Sequence, residues 1–366
     1  MSRERIVVAM SGGVDSSVAA GLLLREGYDV IGVTMRLWAP EDVQAPRYHK
    51  RCCSVEDIDD ARSAADVLGI PHYVVNMERE FMANVVDYFV AEYSRGRTPN
   101  PCLPCNEHVK FRALVQRAKA MEARYLATGH YVRLVESQGV YRLYRARDEA
   151  KDQSYVLYML GQEDLAGVRF PIGAFEKDEI RELAMEMGLP NASKPDSADI
   201  CFLPTEDYRD FIAERVPQAA GDVVDSDGAV VGRHEGVARF TIGQRRGLGV
   251  TLGEKRYVTS IDPQLNVITI GPEDALLASG LSAEALSWVR GEPPANEFEA
   301  GVRIRYQTPV QPAWVRLTEA GADVRFREPQ RAIAAGQAAV FYHGDEVLGG
   351  GIIARAADAK AEPKDA

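Results

Sequence analysis

Cysteine is the residue of this chain most able to do chemistry, and its placement is uneven. Cys52, Cys53, Cys102, Cys105 and Cys201 all lie before residue 202 of 366. An odd number of cysteines in a long chain without a signal peptide argues against a disulfide framework and for redox, metal or nucleophile chemistry. Cys102 and Cys105 form a C-x-x-C pair in "RTPNPCLPCNEHVKF", a loop stiffened by Pro99, Pro101 and Pro104. Such a pair suits a redox couple, half a zinc site or half an iron–sulfur site, and a second C-x-x-C is missing. Cys105 is expected just ahead of a helix opening near Glu107, where the helix dipole favours the thiolate. Cys201, in "KPDSADICFL", is the other cysteine far from the adjacent Cys52–Cys53 pair. Asp196 and Asp199 beside it are candidates to assist proton transfer. Cys52 and Cys53 receive no role.

The second chemical signal is "VAMSGGVDSS", residues 8–17. An apolar strand that stops on a glycine turn and restarts as a helix makes an anion site. Backbone N–H groups and the helix dipole face the ligand, and glycines let a phosphate come close. The stretch lacks the Gly-Lys-Ser/Thr ending of a Walker loop and the G-x-G-x-x-G of a dinucleotide fingerprint. Ser11 and the backbone amides are left for phosphate oxygens, Asp15 to help hold magnesium, and Ser16 and Ser17 for the helix start. "SGGVDS" resembles the pyrophosphate (PP) loop of ATP pyrophosphatases. That resemblance implies cleavage of ATP between its α and β phosphates, with AMP passing to a substrate oxygen.

These residues need a scaffold. Residues 5–10 read as a buried strand, "DSSVAAGLLLREG" as a helix ending on Gly27, and "DVIGVTMRL" as a second strand. "SVEDIDDARSAADVLGI" opens on Ser54 and Asp57 like a capping box. "PHYVVNM" is a strand, and helices follow over about 79–93 and over "EHVKFRALVQRAKAME". "ARYLATGHY" is a further strand. Strands alternating with helices predict an α/β, doubly wound parallel sheet for residues 1–204. After that, glycine-rich short strands, an Asp227–Gly228 turn and the hairpin "RYVTSIDPQLNVITIG" predict a small central domain over 205–275. Short strands at regular intervals predict a β-barrel-like domain over 276–356, and residues 357–366 read as a disordered tail.

Composition limits the function. Apolar residues make up 46% and charged residues 27%, as in a soluble globular protein. No apolar run approaches a membrane span, and "MSRERIVVAM" has no signal-peptide core, so the expected location is the cytoplasm, with no membrane partner. A net charge of -11 argues against a general nucleic-acid binder. Local clusters still suit phosphates: Arg142, Arg145, Arg147 and Lys151; Arg245 and Arg246; Arg303 and Arg305.

Beyond these readings, the chain resembles the bacterial tRNA-specific 2-thiouridylases, the MnmA family. The runs that carry the likeness are "MSGGVDSS", "GRTPNPCLPCN", "ATGHYVR", "KDQSYVLY", "DSADICF", "TIGQRRGLG" and "GQAAVFY" with "GGGII". They stand in family order along nearly the whole chain. The resemblance implies an adenine-nucleotide α-hydrolase-like fold and the cofactor ATP with Mg2+. It implies thiolation of a wobble uridine through an adenylated C2 oxygen, with sulfur from a cysteine persulfide. Carried over position by position, it makes Cys105 the nucleophile and Cys201 the persulfide carrier. ATP falls to Ala9, Met10, Ser11, Gly12, Gly13, Val14, Asp15, Ser16, Met35 and Gly129. It gives tRNA contacts to Asn100, Pro101, Cys102, His130, Lys151, Asp152, Gln153, Arg305, Tyr306 and Gln337, and makes the central domain a tRNA-contacting one. Cys102 is a departure, because many members carry aspartate there. No resident metal-ligand set is assigned.

The implied partners are tRNA and a persulfide sulfur donor, either a cysteine desulfurase or a sulfur-relay protein. Extrusion of the target base from the anticodon stack is expected. Three alternatives stay open from the residues. One is another enzyme with the same phosphate loop, such as an amidotransferase-linked or argininosuccinate synthetase. Another is thiolation on a [4Fe-4S] cluster held by Cys102, Cys105 and Cys201. The third is a non-enzymatic RNA-binding module, which the acidic charge and the phosphate loop oppose.

Overall fold

Strand β1 (Arg5–Ala9) lies at the middle of the N-terminal sheet, and its side chains are buried on both faces. Ile6 and Val8 join Val14, Val18 and Leu23 of helix α1 (Val14–Arg25), while Val7 joins the core of the opposite face. This is the near-continuous apolar strand expected of a parallel sheet covered by helices on both sides. Each such side chain fully buried contributes about 1.5–3 kcal/mol. In this computed structural model the residues described are 3–37, 55–195, 201–203, 207–217, 219–250 and 254–358. The expected cap at Ser54, the Cys52–Cys53 pair and Asp196 and Asp199 lie outside them, as do residues 359–366 of the tail.

After α1 come β2 (Asp29–Arg36), α2 (Val55–Leu68) and β3 (His72–Asn76). A continuous helical run over 78–94 (α3) carries wide π-type turns at Met82–Val86. A second run over 102–120 (α4) has such turns at Cys105–Leu114. Strand β4 (Tyr125–Thr128) follows. With β7 (Val168–Arg169), these strands form one sheet in the order β3-β2-β1-β4-β7, all neighbours parallel. The doubly wound expectation is met.

Between β4 and β7 the chain makes a hairpin, β5 (Val132–Ser137) and β6 (Val140–Arg145), that does not join this sheet. It pairs instead with the last strand of the chain, Leu143 opposite Val347. Helices α5 (Gln162–Ala166), α6 (Lys177–Glu186) and α7 (Tyr208–Ala213) complete the α-helices among the described residues. The central unit is a four-stranded sheet of β8 (Gly221–Val224), β9 (Val230–His234), β10 (Tyr257–Asp262) and β11 (Val267–Gly271), in the order β10-β11-β8-β9. Val223, Val258, Ile268 and Ile270 form its core.

The last unit contains β12 (Leu277–Trp288), β13 (Glu297–Arg303), β14 (Gln311–Thr318), β15 (Gly321–Arg331), β16 (Ala338–His343) and β17 (Glu346–Asp358). Strand β12 pairs with both β15 and β17, so the six strands close into an antiparallel barrel and leave no open edge among them. Strand β17 runs to Asp358, because Ala357 and Asp358 pair with Gly280 and Ala278. The expected tail therefore begins later than residue 357.

Barrel and catalytic sheet share a core. Ala338, Val340, Tyr342 and Val347 pack with Val7, Phe89 and Tyr155. The loop before α4 is pinned to the barrel by Thr98 N donating to the Ala335 carbonyl at 2.8 Å and Gln337 Nε2 donating to the Thr98 carbonyl at 2.8 Å. Tyr93 of α3 stacks on Tyr208 of α7 at 4.7 Å, tying in the central unit. No helix among the described residues is long and apolar enough to cross a membrane.

Candidate active site

The phosphate loop forms where β1 runs out. Met10 N still donates to the Val33 carbonyl at 2.8 Å, and the chain then turns at Ser11–Gly13 into α1. Gly12 has φ +76°, and a Cβ there would strike the Asp57 carbonyl, so only glycine fits. Ser16 and Ser17 each donate their hydroxyls to the Gly13 carbonyl at 3.1 Å. Asn191 Nδ2 donates to the Gly12 carbonyl at 3.0 Å. With those carbonyls taken by side chains, an incoming anion meets the N–H groups of the first turn of α1. Gly129, just past β4, closes the loop from behind. A Cβ there would lie 2.7 Å from Ser16 N.

A cavity of about 270 Å³ opens from this loop. It is lined by Ala9, Met10, Ser11, Gly13, Val14, Asp15, Ser16, Met35 and Gly129 from the nucleotide set, and by both Cys105 and Cys201. Pro101, Cys102, His130 and Gln153 line it too. The structure thus brings the phosphate loop and the two distant thiols into one cavity. Phe202, beside Cys201, packs edge-on against Phe81 at 5.6 Å and Phe89 at 5.4 Å, which fixes the Cys201 end to α3.

The start of α4 differs from the expectation. The helix opens at Cys102, not near Glu107, and Asn100 Oδ1 accepts from Cys102 N at 3.0 Å just ahead of its first turn. Cys105 is buried in the first turn, with its N–H given to the Pro101 carbonyl at 3.2 Å. Asn100 is accordingly a helix-start residue. Neighbouring Asn106 is buried and donates to the Val156 carbonyl at 2.9 Å, which anchors the thiol-bearing turn.

Asp15 differs more. Lys177 Nζ, from the first residue of α6, lies 2.8 Å from both of its oxygens, and Tyr131 Oη donates to Oδ1 at 2.7 Å. A carboxylate so committed is not an open ligand for magnesium. No group of three or more Cys, His, Asp or Glu side chains among the described residues is gathered to hold a metal ion. Cys102, Cys105 and Cys201 all line the cavity.

His130 is buried, and its Nδ1 pairs with Thr128 Oγ1 at 2.7 Å while Nε2 faces Lys110 Nζ at 3.5 Å. Burial, and secondarily the Lys110 charge, push its pKa well below the ordinary 6.5, so the ring is neutral. The ammonium can only donate, so Nε2 accepts and Nδ1 carries the proton toward Thr128.

The other expected RNA contacts separate into two kinds. Arg305 is exposed, and Lys151 and Tyr306 are half-buried. Asp152 and Gln337 are internal. The Asp152 carboxylate accepts from Arg303 Nη1 at 2.9 Å, Ser154 Oγ at 3.0 Å and Ala146 N at 3.1 Å. Both residues join the phosphate-loop unit to the barrel, Asp152 through Arg303 and Gln337 through the Thr98 carbonyl. Lys177 and Lys110 were not foreseen. Lys177 sits in "KDEIRELAME" and Lys110 in "EHVKFRALVQRAKAME", and neither run carries a local motif that marks its lysine.

Residues 4–205 match the family described as "tRNA methyl transferase HUP domain". Residues 209–272 match "tRNA methyl transferase PRC-barrel domain", and 278–353 match "Aminomethyltransferase beta-barrel domain". The "tRNA-specific 2-thiouridylase MnmA" of Carboxydothermus hydrogenoformans is 47% identical over 96% of this chain and 98% of its own. Its namesakes in Geobacter metallireducens and Roseiflexus castenholzii are 49% and 48% identical, each over 96% of this chain and over 97% and 99% of theirs.

Proposed function

The chain belongs to the tRNA-specific 2-thiouridylase family, and on that premise we propose that it is a tRNA sulfurtransferase that uses ATP to replace the C2 oxygen of a wobble uridine with sulfur. The observation that carries this reading is the shared cavity: the phosphate loop, Cys105 and Cys201 all line it.

The chemistry asks for these parts. The uracil C2 carbonyl is a poor electrophile, and its oxygen is a poor leaving group. In the proposed first step that oxygen attacks the α-phosphorus of ATP, the α–β bridge breaks, and pyrophosphate leaves from the amides at the start of α1. The terminal sulfur of a Cys201 persulfide then attacks C2, and the C2–O bond breaks with AMP as leaving group. The Cys105 thiolate attacks Cys201 Sγ, and the electron pair of the broken S–S bond passes to the sulfur on C2. The products are 2-thiouridine and a Cys105–Cys201 disulfide, which an external thiol must reduce. Persulfide sulfur comes from a cysteine desulfurase or a relay protein. We assign the reaction to the cytoplasm, where ATP, tRNA and reduced thiols coexist.

Neutral His130 and Gln153, which line the cavity, are proposed as hydrogen-bonding groups for an extruded base. Arg305, Lys151 and Tyr306 are proposed as contacts to the RNA outside it. The test is thiolation of transcribed tRNA with ATP and a persulfide donor, comparing wild type with Cys102→Ser, Cys105→Ser and Cys201→Ser. Expected are AMP, pyrophosphate and thiouridine in equal amounts, with loss of thiolation for Cys105→Ser and Cys201→Ser and a smaller effect at Cys102. A gain of a methyl group in place of the sulfur-for-oxygen exchange overturns the proposal. Equal loss at all three cysteines overturns the assignment of the two thiols.

A further inference from the structure

The phosphate loop contains a contradiction that Lys177 resolves. Between Ala9 and Ser17 it has no Lys or Arg, and its one charged side chain is the acid Asp15, which faces the cavity. A helix N-terminus offers an anion the equivalent of about half a positive charge. An uncompensated carboxylate in the same turn more than cancels that. It would also repel each phosphate charge brought within a few ångströms, more strongly beside protein than in bulk water. Left alone, Asp15 would spoil the loop as a seat for triphosphate.

Lys177 arrives from far along the chain to cancel the charge. Its Nζ sits 2.8 Å from each Asp15 oxygen, and its position is set by its own N–H, which donates to Asp148 Oδ2 at 3.0 Å. The side chain is almost fully enclosed, with 10% exposure against 30% for Asp15. Tyr131 holds the acid from the other side through its hydroxyl and lies under the ammonium, with Nζ 5.8 Å from the ring centre. Asp15 lines the cavity, and Lys177 stands behind it.

We infer that Lys177 is a positioning residue for ATP: it neutralises Asp15 and holds its carboxylate in place, so that the glycine turn and the start of α1 accept the triphosphate as a net positive site. The inference rests on the ATP-driven reaction proposed above. It gives Asp15 a task different from carrying magnesium.

The test is equilibrium binding of a non-hydrolysable ATP analogue to the full chain, with Mg2+ present, alongside thiolation kinetics. Lys177→Met keeps the length of the side chain and removes the charge. Kd for the analogue, and KM for ATP, are expected to rise about tenfold or more, equivalent to about 1.4 kcal/mol, with kcat changed less. Adding Asp15→Asn removes the stranded charge. The Asp15→Asn/Lys177→Met double variant is expected to recover most of that affinity, and Lys177→Arg to retain it. A double variant that binds no better than Lys177→Met overturns the inference, since a purely structural lysine or a magnesium-binding aspartate gives that result. Failure of the wild type to bind the analogue overturns it too. Analogue binding with the expected charge pattern but without thiolation leaves the inference standing and removes the proposed function instead.

Discussion

Two acid–base pairs, each joining distant parts of the chain, sit in different surroundings. Asp152 and Arg303 are closed away at the joint between catalytic unit and barrel, with side chains 1% and 7% exposed. Asp15 and Lys177 have one open side, at the cavity. The first pair is surrounded by further donors, Ser154 and the Ala146 N–H, and Arg303 lies over the Tyr342 ring at 5.5 Å. The second adds the Tyr131 hydroxyl to the acid and keeps the acid next to space that a ligand can enter. Similar chemistry therefore does two jobs. A closed pair fixes how two units meet, while an open pair sets the charge a ligand encounters.

The sharpest way to break that contrast is to strand each acid in turn. Arg303→Met removes the shorter of two cationic contacts to the enclosed Asp152, leaving Arg145 Nε at 3.4 Å, and is expected to lower stability by about 1–3 kcal/mol. Chemical denaturation reads it, and Arg303→Met with Asp152→Asn is expected to recover a large part. Lys177→Met is expected to act on ATP affinity far more than on unfolding, because the open side of Asp15 admits water. If Arg303→Met is as mild in denaturation as Lys177→Met, burial is not what separates the pairs.

A second prediction concerns space at the nucleotide end. Gly129→Ala pushes a Cβ to 2.7 Å from Ser16 N and 2.8 Å from the Asp15 carbonyl carbon. Those are backbone atoms of a helix start and cannot swing aside. Overpacking of this kind costs about 1–3 kcal/mol. Affinity for the ATP analogue is expected to suffer with stability, since the strain falls on the N–H groups that face the phosphates. An alanine variant with wild-type melting and wild-type affinity refutes the close packing.

The contrast also shows what the sequence could tell. "SGGVDSS" was legible because its function is local: a turn, a helix start and two hydroxyls within a few residues. The β1–α1–β2 order was legible from apolar runs. The Cys105 and Cys201 roles came from family likeness, and their shared cavity depends on Phe202 packing on α3, which no local pattern encodes. Asp152 and Gln337 show the limit of such likeness, because a polar residue in a family-matching run looks the same whether it touches RNA or a neighbouring strand. Only burial distinguishes them. The β5–β6 hairpin was missed as a barrel neighbour because its partner, β17, is at the far end of the chain. Lys177 was hidden for the same reason.

A third arrangement, a base beside a like charge, sharpens the comparison further. His130 faces Lys110, and burial first and that charge second hold its pKa well below 6.5. Burial is the leading cause of lower values at His72 and His234 as well. Below pH 6.5 the unfolded chain binds protons that these folded-state rings refuse, so stability falls as pH drops from about 6.5 toward the native values and is insensitive to them above it. Denaturation midpoints between neutral and mildly acidic pH measure the slope. His130→Gln is expected to make it shallower, and an unchanged slope would show that His130 is not a contributor.

The smallest stability change is expected where no enclosure exists at all. Arg305 is exposed on the barrel beyond β13 and, unlike Arg303 two positions earlier, appears in no ion pair among the described residues. Arg305→Ala is expected to leave stability within about 0.5 kcal/mol. If the residue meets an RNA phosphate, the same change weakens tRNA binding at low salt and reduces the slope of log affinity against log salt by about one. Binding of tRNA measured across a salt series decides it. A parallel, unshifted salt line removes Arg305 from the RNA surface, whereas a lost slope unit with an unchanged melting curve separates a charge that serves a ligand from the charge of Arg303, which serves the fold.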